Sequence, residues 1–192
     1  MIQTFELFPG GTLRCSAYHR FKQGCLSLQF VRPMDSREAA MNALLPSVLL
    51  RGTRQYPDMR AITLRLDDLY GASLGAIARR VGDYQTTGLR LGFMEDRYAM
   101  AGDAILAPML TLLGQILLEP IVENGGFSPD FVESEKKNLI STIESELNNK
   151  QAYCAARLME NMCKADSFGI PRLGRPEEVA ATSRGSMRPS LW

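Results

Sequence analysis

The stretch NALLPSVLLRGTRQYP, residues 42–57, decides how this chain is read. It is an apolar run enclosing Pro46, followed by Arg51-Gly52-Thr53 and then Tyr56-Pro57. Entered from DSREAAM (35–41), the run predicts a helix that opens near Ser36. Asp35 is placed to cap it, with Glu38 three residues on as the reciprocal partner. Pro46 removes one amide donor and crowds the carbonyl of Asn42, so the helix is expected to kink or end there. Residues 43–50 hold no histidine, cysteine or carboxylate, so the run has no group that binds a metal or moves a proton.

Upstream, residues 3–8 and 12–18 read as strands around a Pro9-Gly10-Gly11 turn, and CLSLQFVR (25–32) alternates as a strand with one buried face. Downstream, Pro57 takes the favoured first position of a second helix, with Met59, Ile62, Leu66 and Leu69 on one face and Gly71 at its end. SLGAIARRV and YQTTGLRLGFM, joined by Gly82-Asp83, form a β-hairpin. A third helix, about 102–118, carries Ile105, Leu106, Met109, Leu110, Leu113 and Leu117 as its apolar residues, with Leu106, Leu110, Leu113 and Leu117 part of a broad apolar face. Ser128 caps a fourth, with Pro129 at its first position. It breaks near Asn148-Asn149 and resumes, and RPEEVAA begins a short last helix. This order, with no strict β-α-β alternation, predicts an α+β fold: an antiparallel sheet with helices on one face.

The 192 residues are 45% hydrophobic and 22% charged, with net charge +1. No basic stripe with interleaved aromatics argues for nucleic acid. No apolar stretch is long enough to span a membrane, and MIQTFELFPGG does not read as a signal peptide. A cytoplasmic location is the default expectation. Cys15, Cys25, Cys154 and Cys163 form no C-x-x-C pair and are expected to be reduced and buried. His19 is the single histidine, which excludes any site needing two His ligands from this chain.

Five strings in order resemble the pitrilysin/insulinase family of zinc metallopeptidases: HRFKQGCLSLQFV, LLRGTRQYP, LDDLYGASLGAIARR, FVESEKKNLISTIESELNN and MCKADSFGIPRLGRPEEV. The resemblance implies a LuxS/MPP-like metallohydrolase fold for an N-terminal domain over residues 1–181, leaving 182–192 as a non-matching, disordered tail. Active members carry H-x-x-E-H on the helix before the Gly-Thr, where two His bind zinc and the Glu serves the metal-bound water as base. Here Ala43 and Ser47 stand at the His positions and Pro46 at the Glu position. In the later helix, matching Glu135 to the first acid of the pattern puts Thr142 at the zinc-binding acid. The resemblance thus implies no metal, no cofactor and no peptidase activity.

Active members also pair an extended peptide with an edge strand. The corresponding residues here are Gly71, Gly75 and Ala76, with Gly75 where the family has Asn. The expected role is that of a non-catalytic subunit that binds a peptide or protein substrate, or shapes the chamber, beside a zinc-carrying homologue. The bacterial members it looks most like are associated with modification of elongation factor P. Two other readings stay open: a Cys or Ser hydrolase using His19, and a fragment with no activity of its own. In any of these the domain is expected to leave a sheet edge open and apolar surface exposed.

Overall fold

The computed structural model describes residues 2–18, 20–183, 185 and 187. His19 lies outside them, so the dyad reading has no geometry to rest on.

The centre of the fold is a three-stranded antiparallel sheet: β3 (Gln23–Pro33), β4 (Ser73–Val81) and β5 (Tyr84–Met94), with β5 in the middle. β4 and β5 are the expected hairpin, closed by Gly82 and Asp83 with Val81 opposite Tyr84. Register follows the apolar alternation: Leu91 faces Leu26 on one side and Leu74 on the other. Leu89, Leu91 and Phe93 of β5 point into the core.

That core is built largely by two helices. Helix α1 (Ala39–Leu49) contributes Leu44, Leu45, Val48 and Leu49, and α3 (Leu106–Leu118) contributes Met109, Leu112, Leu113 and Ile116. Nine of the 11 residues of α1 are buried. A helix apolar on every side belongs inside.

Helix α1 departs from expectation at both ends. It starts at Ala39 rather than near Ser36, because Asp35 does not cap it. The Asp35 carboxylate instead accepts from the Arg37 side chain at 2.6 Å and the Arg37 amide at 2.9 Å. Those two bonds, the side-chain one first, pull its pKa down to about 2. The helix also does not stop at Pro46. It runs on to Leu49, and the Leu50 amide donates to the Pro46 carbonyl at 3.3 Å. Proline costs the helix one bond but its fixed φ is helical, and the buried leucines on both sides hold the chain in register.

Helix α2 (Met59–Asp68) starts after Pro57, not at it. Asp58 is the cap, accepting from the Ala61 amide at 2.7 Å, which a carboxylate does and a proline cannot. Ile62 is its one buried residue and Met59 is exposed. Its end is a tight reversal in which Tyr70 (φ 60) and Gly71 (φ 68) are both left-handed. The Tyr70 hydroxyl donates to Asp103 at 2.7 Å and accepts from the Met100 amide at 3.1 Å, tying the reversal to the entry of α3.

Helix α3 begins at Leu106, where the Asp96 carboxylate accepts from the amides of Leu106 and Ile105, both at 2.9 Å. These bonds lower the Asp96 pKa. Of the expected apolar residues Ile105, Met109 and Leu113 are buried and Leu117 is half-buried, while Leu106 and Leu110 are exposed; Leu112 and Ile116 complete the buried face.

Helix α4 (Pro129–Ser145) has Pro129 at its first turn as expected, although the Ser128 side chain makes no cap bond. After the break at 146–148, Asn149 caps α5 (Lys150–Met162) through the Ala152 amide. Helix α6 (Pro176–Ala181) packs on α4, and α4 packs on α1.

The first two strands, β1 (Ile2–Phe8) and β2 (Gly11–Ser16), pair only with each other. Ile2, Phe5, Leu7, Phe8 and Leu13 are exposed along this hairpin. Strands β6 (Val122–Glu123) and β7 (Gly126–Phe127) form a short ribbon before α4. One correction remains. Cys15, Cys25 and Cys154 are exposed rather than buried, because they sit on outward faces of the hairpin, the sheet and α5. Met187 is fully buried in the main cluster.

Candidate functional site

The positions matched to the zinc motif fall on the buried helix that packs against α4. Ala43 is 4% exposed, Pro46 is buried and Ser47 is partly buried. Thr142 lies on α4 and is exposed, and its hydroxyl donates to the Asn138 carbonyl of its own helix at 2.8 Å. Among the described residues no group of three His, Cys, Asp or Glu could hold a metal ion. A zinc ion needs about three or four such donors converging on it. The side chains at this place therefore do not fit the metal: alanine has no lone pair and proline no exchangeable proton.

What joins the two helices is an ion pair. Arg51, two residues past α1, donates through Nε to Glu135 of α4 at 2.5 Å and through Nη2 to Ser134 at 2.8 Å. Both charged side chains are mostly buried, at 21% and 13% exposure. Gly52 and Thr53 then pack into a turn. A side chain on Gly52 would meet the Pro57 carbonyl oxygen at 2.7 Å. Thr53 is fully buried, and its hydroxyl accepts from the Tyr56 amide at 3.0 Å. The Arg-Gly-Thr string is thus the anchor of α1 onto α4.

A second buried device crosses from β5 to α1. Gln85 is 2% exposed and donates to the carbonyls of Ala39 (2.9 Å) and Arg172 (2.8 Å). Its own carbonyl accepts from Asn42 at 3.1 Å. Sequence reading passed over both Gln85 and Arg51. Gln85 had a signal: it shares strand parity with Leu89 and Leu91, so it is a polar residue on the core face. Arg51 had none beyond its neighbourhood to Glu135 in the folded chain.

The other candidate is the strand carrying Gly75 and Ala76. Strand β4 is an edge of the sheet, and β5 is its single strand partner. Gly71 sits in the reversal before it and takes no part in the strand. Val81 and Tyr84 flank a two-residue turn, so they form a hydrogen-bonded pair, as does every second pair beyond. By that parity Leu74, Ala76 and Ala78 turn their N–H and C=O groups outward. The Ala78 carbonyl accordingly accepts from Arg172 at 3.3 Å, from outside the sheet. A groove of about 780 Å³ runs over this edge and the adjoining sheet face, past Ser73, Gly75, Ile77, Arg79, Arg90 and Cys25.

No protein-family model matches the chain. The fold matches that of a conserved protein from Enterococcus faecalis at TM-score 0.88 and 24% identity, over 97% of this chain and 44% of that one. It also matches a peptidase M16 inactive domain from Pseudomonas fluorescens at TM-score 0.68 and 16% identity, over 97% of this chain and 42% of that one. The architecture is that of an M16-type peptidase domain. In Bacillus subtilis, the probable inactive metalloprotease YmfF is 30% identical over 160 residues, covering 83% of this chain and 38% of that protein. The chain is a homologue of the pitrilysin/insulinase (M16) family, in line with members named inactive, and spans under half the length of that relative.

Proposed function

We propose that this domain is a non-catalytic M16 subunit with the LuxS/MPP-like layering, which works with a zinc-carrying homologue and binds a peptide or protein substrate at the β4 edge. The observation that carries the reading is the replacement at the motif positions. Ala43, Pro46 and Ser47 leave a helix with the right packing and no chemistry. The exposed Ile2, Phe5, Leu7 and Phe8 of the β1–β2 hairpin supply apolar surface for a protein partner. No described helix is long and apolar enough to cross a membrane. A cytoplasmic site of action, and a step in elongation factor P modification, belong to the same proposal through the family resemblance.

Co-expression tests it. A tagged copy of this chain, produced with a homologue that retains H-x-x-E-H, is expected to co-purify with it in a fixed ratio. Phe5→Ser with Leu7→Ser should abolish the association. Co-expression in which the two chains elute separately, each at its own size, would remove the partner role.

A further inference from the structure

We propose that the β4 edge selects an extended acidic peptide, through Arg79 and Arg90; this rests on the edge-binding reading above and names its substrate chemistry.

The argument starts from strand parity. Ser73, Gly75, Ile77 and Arg79 share one face of β4, and Arg90 stands opposite Gly75 on β5, so Arg90 is on that face too. Both arginines are exposed and both line the groove. No acidic side chain lines it, and neither arginine has an ion-pair or hydrogen-bond partner among the described residues. Arg32, Arg37, Arg51, Arg157 and Arg172 each meet a carboxylate within 2.8 Å, whereas Arg79 and Arg90, like Arg14, Arg20, Arg54, Arg60 and Arg65, meet none among the described residues. Two unmatched guanidinium groups on one groove therefore leave it with a local positive charge.

Gly75 gives this charge access to the edge. Arg90 is one strand in from it, a lateral step of about 4.8 Å. A side chain at 75 would stand in the way. Gly75 has none, and the space where one would project is open to at least 4 Å. An arginine spans one strand width, so its guanidinium can lie across Gly75 and reach a ligand strand beyond β4. Arg79 lies four residues further along the same strand, about 13 Å away at the rise of an extended chain. The outward amides and carbonyls of Leu74 and Ala76 supply the main-chain pairing. The recognised feature is then a β-strand with two carboxylates about four residues apart on one face. The departure from Asn to Gly at this place thus exchanges one amide side chain for a path to a cation.

The test uses the full chain and three fluorescent eight-residue peptides of strand-forming sequence, differing only at two positions four residues apart: Glu, Gln or Lys. Anisotropy titration at low salt is expected to rank them Glu, Gln, Lys, with about tenfold between first and last, and the gap should close as salt rises. Arg79→Glu with Arg90→Glu, both at exposed positions, should reverse the ranking with the far-UV spectrum unchanged. Gly75→Leu should remove the preference for Glu at the site served by Arg90. Equal binding of all three peptides would overturn the acidic selection and leave edge binding standing. Binding of none would overturn the edge reading, and this inference with it.

Discussion

Replacing Gln85 by alanine is expected to lower the free energy of unfolding by about 3 kcal/mol or more, among the largest effects of any single polar substitution in this domain. The expectation rests on what the side chain leaves behind. Its amide satisfies the buried Ala39 carbonyl and the partly buried Arg172 carbonyl, and its oxygen satisfies the Asn42 amide. An orphaned buried polar group costs about 1–3 kcal/mol, and Gln85 is 2% exposed. Three elements lose their common tie at once: the start of β5, the start of α1 and the loop before α6. Urea denaturation of the variant against the parent measures it. A change below about 0.5 kcal/mol would mean that the three bonds do not hold the fold as described.

The second large effect concerns the anchor of the degenerate helix. Arg51→Met is expected to destabilise by about 2–4 kcal/mol, because Glu135 stays mostly buried with its cation removed. Glu135→Leu should cost a similar amount by orphaning Arg51. The double substitution should recover most of the loss, since two apolar side chains of similar size pack where two charges had to be desolvated. A thermodynamic cycle over the four proteins measures the coupling. Additive losses would show that the pair acts as two separate surface charges, contrary to its burial.

Both devices bear on how far the sequence could be read. The elements with strong local signals were legible: the β4–β5 hairpin with its Gly-Asp turn, the Pro129 start of α4, and the Asn149 restart. So was the ordered set of strings that points to the family. What sequence missed was set by competition that only the fold resolves. Asp35 reads as a cap, but Arg37 two residues away takes its carboxylate first. Pro46 reads as a kink or an end, and the helix does not end there, because a helix buried on nearly every side tolerates one missing bond. On α3 the expected Ile105, Met109 and Leu113 are buried, but Leu106 and Leu110, one position on from Ile105 and Met109, are exposed, because one helix is apolar over more of its circumference than the core covers. The Arg51–Glu135 pair spans 84 positions and has no local signature at all. Each miss concerns which of two sequence-compatible partners wins, and the winner is fixed by burial rather than by spacing.

Ala43, Pro46 and Ser47, the positions that the resemblance matches to the zinc motif, carry no imidazole or carboxylate. The most direct test is metal analysis of the purified chain after incubation with excess zinc and desalting, together with a peptidase assay on a fluorogenic peptide mixture. The account predicts well under one zinc per ten chains and no cleavage above buffer, with or without chelator. One tightly held zinc per chain, with cleavage that a chelator stops, would contradict it.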